Sequence, residues 1–129
     1  MRVRNDRLIE WSRQYYRVFR RYSISSVTIL EVRSGLTSAP NRNITAKFAA
    51  MEPLLEVLPL GVDEANTAGY IAGLLRANGM SIERFDPMIA ACAIERDFPL
   101  LTGNLRHYQR IQELGFPLTL ERIEGFSEN

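Results

Sequence analysis

The sequence predicts an α/β fold with a parallel sheet, and three observations carry that reading. Short apolar, partly β-branched runs alternate with longer stretches whose apolar residues recur at helical spacing. Residues that cap helices or make turns fall between the two kinds of segment. The chain has 129 residues, so it is expected to form a single domain (1–129) with a real core. Strands that alternate with helices stack as layers about a parallel sheet.

Each element can be justified in order. Leu8, Trp11, Tyr15, Val18 or Phe19, and Tyr22 fall on one helical face with arginines between them, predicting an amphipathic helix over residues 6–21. The run Ser23 to Val27 suits a strand end. Thr28-Ile29-Leu30-Glu31 has the Thr-x-x-Glu form of a capping box and predicts a helix from Thr28 to Leu36. Thr37 to Asn43 reads as a loop. A helix from Ile44 carries Phe48, Met51 and Leu55 on one side, with Pro53 disturbing its end. Val57 to Leu60 is a strand candidate. Asp63 is expected to cap a long helix that Asn78-Gly79 closes. Asp86-Pro87, a cap residue before a proline at the first helical position, opens a helix through Glu95. Phe98 to Thr102 is a buried strand, Asn104 starts a helix to Leu114 closed by Gly115, and Leu118 to Leu120 is the last strand. The tail from Glu124 is expected to be loose.

Composition narrows the function classes. Hydrophobic residues make up 46% and charged residues 24%, with a net charge of +1, so the totals neither demand nor exclude nucleic acid. Arginines crowd the first 21 residues against two acids, Asp6 and Glu10. That segment is either a solvated helix face or a phosphate-contacting one. Cys92 is the only cysteine and His107 the only histidine, which excludes an intrachain disulfide and a cysteine-based zinc site. Cys92 lies in the apolar run Ile89 to Ile94, where a buried thiol is expected. No stretch is long and apolar enough to span a membrane, and no signal peptide opens the chain. A cytoplasmic protein without a membrane partner is therefore expected.

Three polar residues occupy equivalent places in the alternation. Glu31, Asp86 and Asn104 each fall at or just after a point where a strand is expected to hand over to a helix. In a parallel sheet those points gather along one edge, where ligands bind. Two carboxylates there could hold Mg²⁺ or Mn²⁺, hard cations that prefer oxygen ligands and retain waters. Such an ion activates water and stabilises a leaving oxygen in phosphodiester cleavage. Capping accounts for the same residues: Glu31 through its box, Asp86 and Asn104 as N-caps. Spacing alone does not decide between capping and catalysis.

Three segments then resemble one family. Ile24-Ser25-Ser26-Val27-Thr28-Ile29-Leu30-Glu31-Val32-Arg33-Ser34-Gly35 resembles the second acidic motif of VapC-type PIN domains, an Ile-Ser-x-Val-Thr-x-x-Glu stretch ending in glycine. Asp86-Pro87-Met88-Ile89-Ala90-Ala91 resembles that family's Asp-x-x-Ile-Ala-Ala motif. Leu101 to Tyr108 resembles its Thr-x-Asn-x-x-(Asp/His)-Phe motif, and Arg110 to Leu114 fits its usual helix end. The resemblance spans residues 23–120 in the family's order. It implies a three-layer α/β/α PIN-like fold and a Mg²⁺- or Mn²⁺-dependent endoribonuclease, the toxin of a toxin–antitoxin pair. By position, Glu31 and Asp86 would be metal ligands. Asn104 and His107 would be catalytic-site residues, with Thr28 and Thr102 in support. RNA would be the substrate, a VapB-like antitoxin the partner, and a homodimer the assembly.

The beginning of the chain departs from that pattern. The family opens with an apolar strand ending in Asp-Thr-Asn, whose Asp is a principal ligand. Here Met1-Arg2-Val3-Arg4-Asn5-Asp6 leads directly into the first helix, and Asp6 follows no apolar run. The resemblance thus implies an N-terminally truncated domain lacking one strand, with weak metal binding, low activity and reduced stability. A catalytically impaired remnant that binds an antitoxin or RNA without cutting is the alternative. An unrelated α/β domain whose caps mimic the motifs is a third reading.

Overall fold

The computed structural model describes residues 22–80 and 83–122, with only the backbone of Tyr22. The helix expected over residues 6–21 and the tail from Glu124 therefore lie outside the described residues, and Tyr22, expected on that helix's apolar face, is the first residue of a strand. The chain divides into two compact units, residues 1–58 and 59–129.

In the first unit, strand β1 (Tyr22–Ser25) runs into helix α1 (Ser26–Ser38). Helix α2 (Arg42–Met51) follows, then a 3₁₀ turn (Glu52–Leu54) and strand β2 (Leu55–Leu58). The two strands pair in parallel, from Tyr22 opposite Leu55 to Ser25 opposite Leu58. The strand expected at Val57–Leu60 is thus found two residues earlier. Pro59 has no N–H to give a ladder and ends it.

Helix α1 begins earlier than Thr28, and its cap is not the expected one. Ser25, extended at the strand end, accepts the Thr28 N–H on its Oγ at 3.0 Å. Thr28 is therefore the third helical residue, and Glu31 lies in the second turn, beyond the reach of a capping box. Asn41 caps α2 in the same way, through the Ile44 N–H at 3.1 Å. Leu36, Ile44 and Met51 form a buried cluster joined by Val32. Of the apolar side expected for this helix, Phe48 and Met51 are buried on it, whereas Leu55 falls in β2.

The second unit holds helices α3 (Val62–Ala77), α4 (Asp86–Arg96) and α5 (Leu105–Glu113), with strands β3 (Leu100–Thr102) and β4 (Leu120–Arg122). β3 and β4 pair in parallel, Leu100 opposite Leu120 and Thr102 opposite Arg122. Gly61, rather than Asp63, is the N-cap of α3, and its N–H donates to Glu64 Oε1 at 2.8 Å. A Cβ at position 61 would stand 2.8 Å from that same oxygen, so a larger residue there would make the Glu64 carboxylate shift.

Asn78 and Gly79 end α3 as expected. Gly79 turns left-handed at φ 69°, and Met80 N–H donates back to Leu75 O at 2.8 Å. Asp97 does the same for α4 at φ 56°, returning Phe98 N–H to Ala93 O at 2.9 Å.

Helix α4 packs chiefly on α3. Ile89, Ala90, Ala91, Cys92 and Ala93 are all buried along it. A helix apolar all round and built mostly of small side chains can be enclosed on every face. Ile71 and Leu75 of α3 and Ile111 of α5 are 0% exposed. Helix α5 is the opposite case: its buried residues are Tyr108 and Ile111, on one stripe of an otherwise polar helix. No helix among the described residues is long and apolar enough to cross a membrane.

Candidate active site

The site assembles in the second unit, from the first residue of α4 and the first turn of α5. Asp86 is expected from sequence to be an N-cap, but it is already helical. The N-cap position falls to Phe85, which makes no side-chain cap bond. Nor does a strand directly precede Asp86: it follows a turn in which its N–H donates to Glu83 O at 3.2 Å. Its carboxylate reaches away from its own backbone to α5. The Tyr108 hydroxyl donates to Oδ1 at 3.1 Å, and His107 Nδ1 lies 3.0 Å from Oδ2. The capping explanation for Asp86 is thereby corrected: its side chain is engaged with residues 21 and 22 positions further along.

Asn104 departs from expectation in the same direction. It is the N-cap of α5 by position but makes no side-chain cap bond. Its amide lies instead 2.9 Å from His107 Nδ1, one helical turn on. Thr102, buried at the end of β3, accepts the Asn104 N–H on its Oγ1 at 2.9 Å. That bond fixes the strand-to-helix bend from which Asn104 and His107 project.

Hydrogen-bond valence orders these contacts. An ionised Asp86 accepts only, so His107 Nδ1 carries the proton and donates to Oδ2. Asn104 Nδ2 lies 2.9 Å from the same nitrogen, which, donating to Asp86, has no lone pair left to accept from it. The neutral imidazole then has Nε2 as its acceptor, which has no protein partner among the described residues.

The electrostatics follow from burial. Asp86 is 5% exposed, and desolvation pushes its carboxyl above the ordinary value of 3.8. The Tyr108 and His107 hydrogen bonds pull it back down, and the nearby Glu83 charge adds to the rise. A buried carboxylate penalised by its surroundings is a group that a bound cation would relieve.

Each Asp86 oxygen accepts one hydrogen bond and retains a further lone pair, so the hard oxygen donor that Mg²⁺ or Mn²⁺ requires is present. Among the described residues no three His, Cys, Asp or Glu side chains cluster as a metal site. A hard cation that keeps several waters suits so small a protein donor set. Glu31, on α1, belongs to the first unit and is partly exposed there. Thr28, also on α1, places its hydroxyl 3.0 Å from Ser25 Oγ. The structure thus joins Asp86, Asn104, His107 and Thr102, and gives Thr28 a role at the α1 cap.

Tyr108 is the site residue that sequence reasoning missed. Its signal was available: it stands at the aromatic end of the Thr-x-Asn-x-x-(Asp/His)-Phe pattern and carries a hydroxyl that Phe lacks.

With fold and site in view, the chain belongs to the PIN domain family, whose model matches residues 2–114. Its relatives within that family are VapC ribonucleases. It is 33% identical over 95 residues to Ribonuclease VapC1 of Rickettsia felis, covering 70% of this chain and 71% of that protein. It is 36% identical over 93 residues to the tRNA(fMet)-specific endonuclease VapC of Salmonella typhimurium, covering 70% of each. The fold matches the crystal structure of DNA-bound VapBC from Salmonella typhimurium with a TM-score of 0.70 and 28% identity, over 88% of this chain and 84% of that one. VapBC-1 from nontypeable Haemophilus influenzae gives a TM-score of 0.64 at 26% identity, over 79% and 74%.

Proposed function

We propose that this chain is a metal-dependent endoribonuclease, the toxin of a VapBC-type pair, acting on RNA in the cytoplasm. The observation that carries this reading is the buried Asp86 carboxylate, held on both oxygens by α5 and pushed toward protonation by burial. That carboxylate has no capping task to explain it. Relatives named as ribonucleases and as a tRNA-specific endonuclease support the reaction class, and VapBC neighbours support an antitoxin partner. A homodimer belongs to the same proposal.

Asp86 would hold Mg²⁺ or Mn²⁺, which when bound supplies a water of lowered pKa and charge neutralisation at the phosphate. This chain's own residues do the rest. Tyr108 and His107 hold the Asp86 carboxylate in place. Thr102 and Asn104 set the imidazole. His107 Nε2 offers a site that can take or return a proton at the scissile phosphodiester, or contact the phosphate when protonated.

The test is cleavage of RNA with Mn²⁺, in parallel with excess EDTA. Cleavage is expected only where free metal is present. Undiminished cutting in EDTA would reject the metal-dependent mechanism.

A further inference from the structure

We propose that Tyr108 is a positioning residue for Asp86, its hydroxyl fixing the carboxylate in the orientation that receives a divalent cation. This rests on the reading of Asp86 as a metal ligand and adds a residue to it. The two donors arrive on different oxygens, Tyr108 on Oδ1 at 3.1 Å and His107 on Oδ2 at 3.0 Å. One donor would leave the carboxylate able to rotate about its Cβ–Cγ bond. Two donors, one on each oxygen, define its plane and leave the remaining lone pairs pointing in set directions.

Tyr108 is suited to the task by its own placement. It is 5% exposed, shares the buried stripe of α5 with Ile111, and follows His107 directly, so one helix carries both donors. The ring is held by packing, so little freedom remains to be lost in forming the bond. A phenylalanine would fill the same space without the hydroxyl, so packing alone does not account for a tyrosine here. Partners that orient a ligand in this way are worth about 10- to 100-fold in metal affinity.

The experiment measures Mn²⁺ binding calorimetrically on metal-stripped protein, for the wild-type chain, Tyr108→Phe and Asp86→Asn. Tyr108→Phe is expected to bind Mn²⁺ about tenfold more weakly with its near-ultraviolet dichroism retained. Its RNA cleavage should recover as Mn²⁺ is raised, which a folding defect would not allow. Replacing Tyr108 with 4-aminophenylalanine, which keeps a donor on the ring, is expected to restore affinity. Wild-type affinity in Tyr108→Phe, with binding lost in Asp86→Asn, overturns the role of Tyr108 and leaves Asp86 as a ligand. Failure of the 4-amino replacement to restore affinity also overturns it. Undiminished Mn²⁺ binding by Asp86→Asn, or none by the wild-type chain, overturns the ligand reading and this proposal with it.

Discussion

Asp86→Asn is expected to lose at least about 100-fold in RNA cleavage, because removing a ligand costs no less than removing a residue that merely orients one. The same change should leave the metal-free protein more stable at neutral pH. Burial holds the folded Asp86 carboxyl above its unfolded value near 3.8, so the folded state binds this proton more tightly than the unfolded state does. As pH rises through the window between those two values, the unfolded chain releases its proton first and wild-type stability falls. Above the window the loss is complete and constant. The variant's amide does not titrate there, and it can still accept from Tyr108 and pair with His107 in its other tautomer.

Urea midpoints in EDTA should therefore favour the variant at neutral pH and converge with the wild type below the ordinary carboxylate range. His107 and Glu83 also face this carboxyl, so the comparison is made as a difference between the two proteins at each pH. A variant that is less stable than wild type at neutral pH would show that burial does not dominate at Asp86. The loss of activity with a gain of stability is what a site maintained against its folding preference should show.

Ile111→Ala is expected to be the largest stability loss, about 2–5 kcal/mol. The side chain is 0% exposed, and truncating it removes buried apolar contact and leaves a cavity. At about 4 °C per kcal/mol the thermal midpoint should fall by roughly 8–20 °C. The effect should reach the site as well. Ile111 lies one turn beyond Tyr108 on the buried stripe of α5, the helix that carries both Asp86 donors. Val62→Ala, at a position 79% exposed, is the matched control and should change stability by no more than about 0.5 kcal/mol. Equal midpoints for the two variants would mean that α5 is not anchored through Ile111.

The sequence was most informative where the signal is local. The order of helices and strands in the described residues follows from apolar spacing, and the C-terminal end of α3 follows from Asn78 and Gly79 chemistry. Asn104 and His107 are three residues apart, so a helical turn alone places them together. Boundaries were less legible because several residues could play the same part. Ser25 and Thr28 are both good caps, and Ser25 prevails because the strand end holds it extended. Asp63 and Gly61 competed similarly, and Glu64 favours the glycine by bonding its N–H. Asp86 was identified as a site candidate but given the wrong local task. Its partners, His107 and Tyr108, come from another helix, and no spacing rule relates a carboxylate to a hydroxyl 22 residues away.

Cys92 lies on α4 two turns beyond Asp86, 1% exposed, and burial pushes its thiol pKa upward. A thiol so enclosed, and so reluctant to ionise, is silent toward alkylating reagents while the second unit stays closed. With no other cysteine in the chain, every labelling event must come from this one position. Its modification rate is therefore a clock for the breathing of the helices that carry the site. Metal or a partner that tightens them would be read as a slower clock, with no engineered probe.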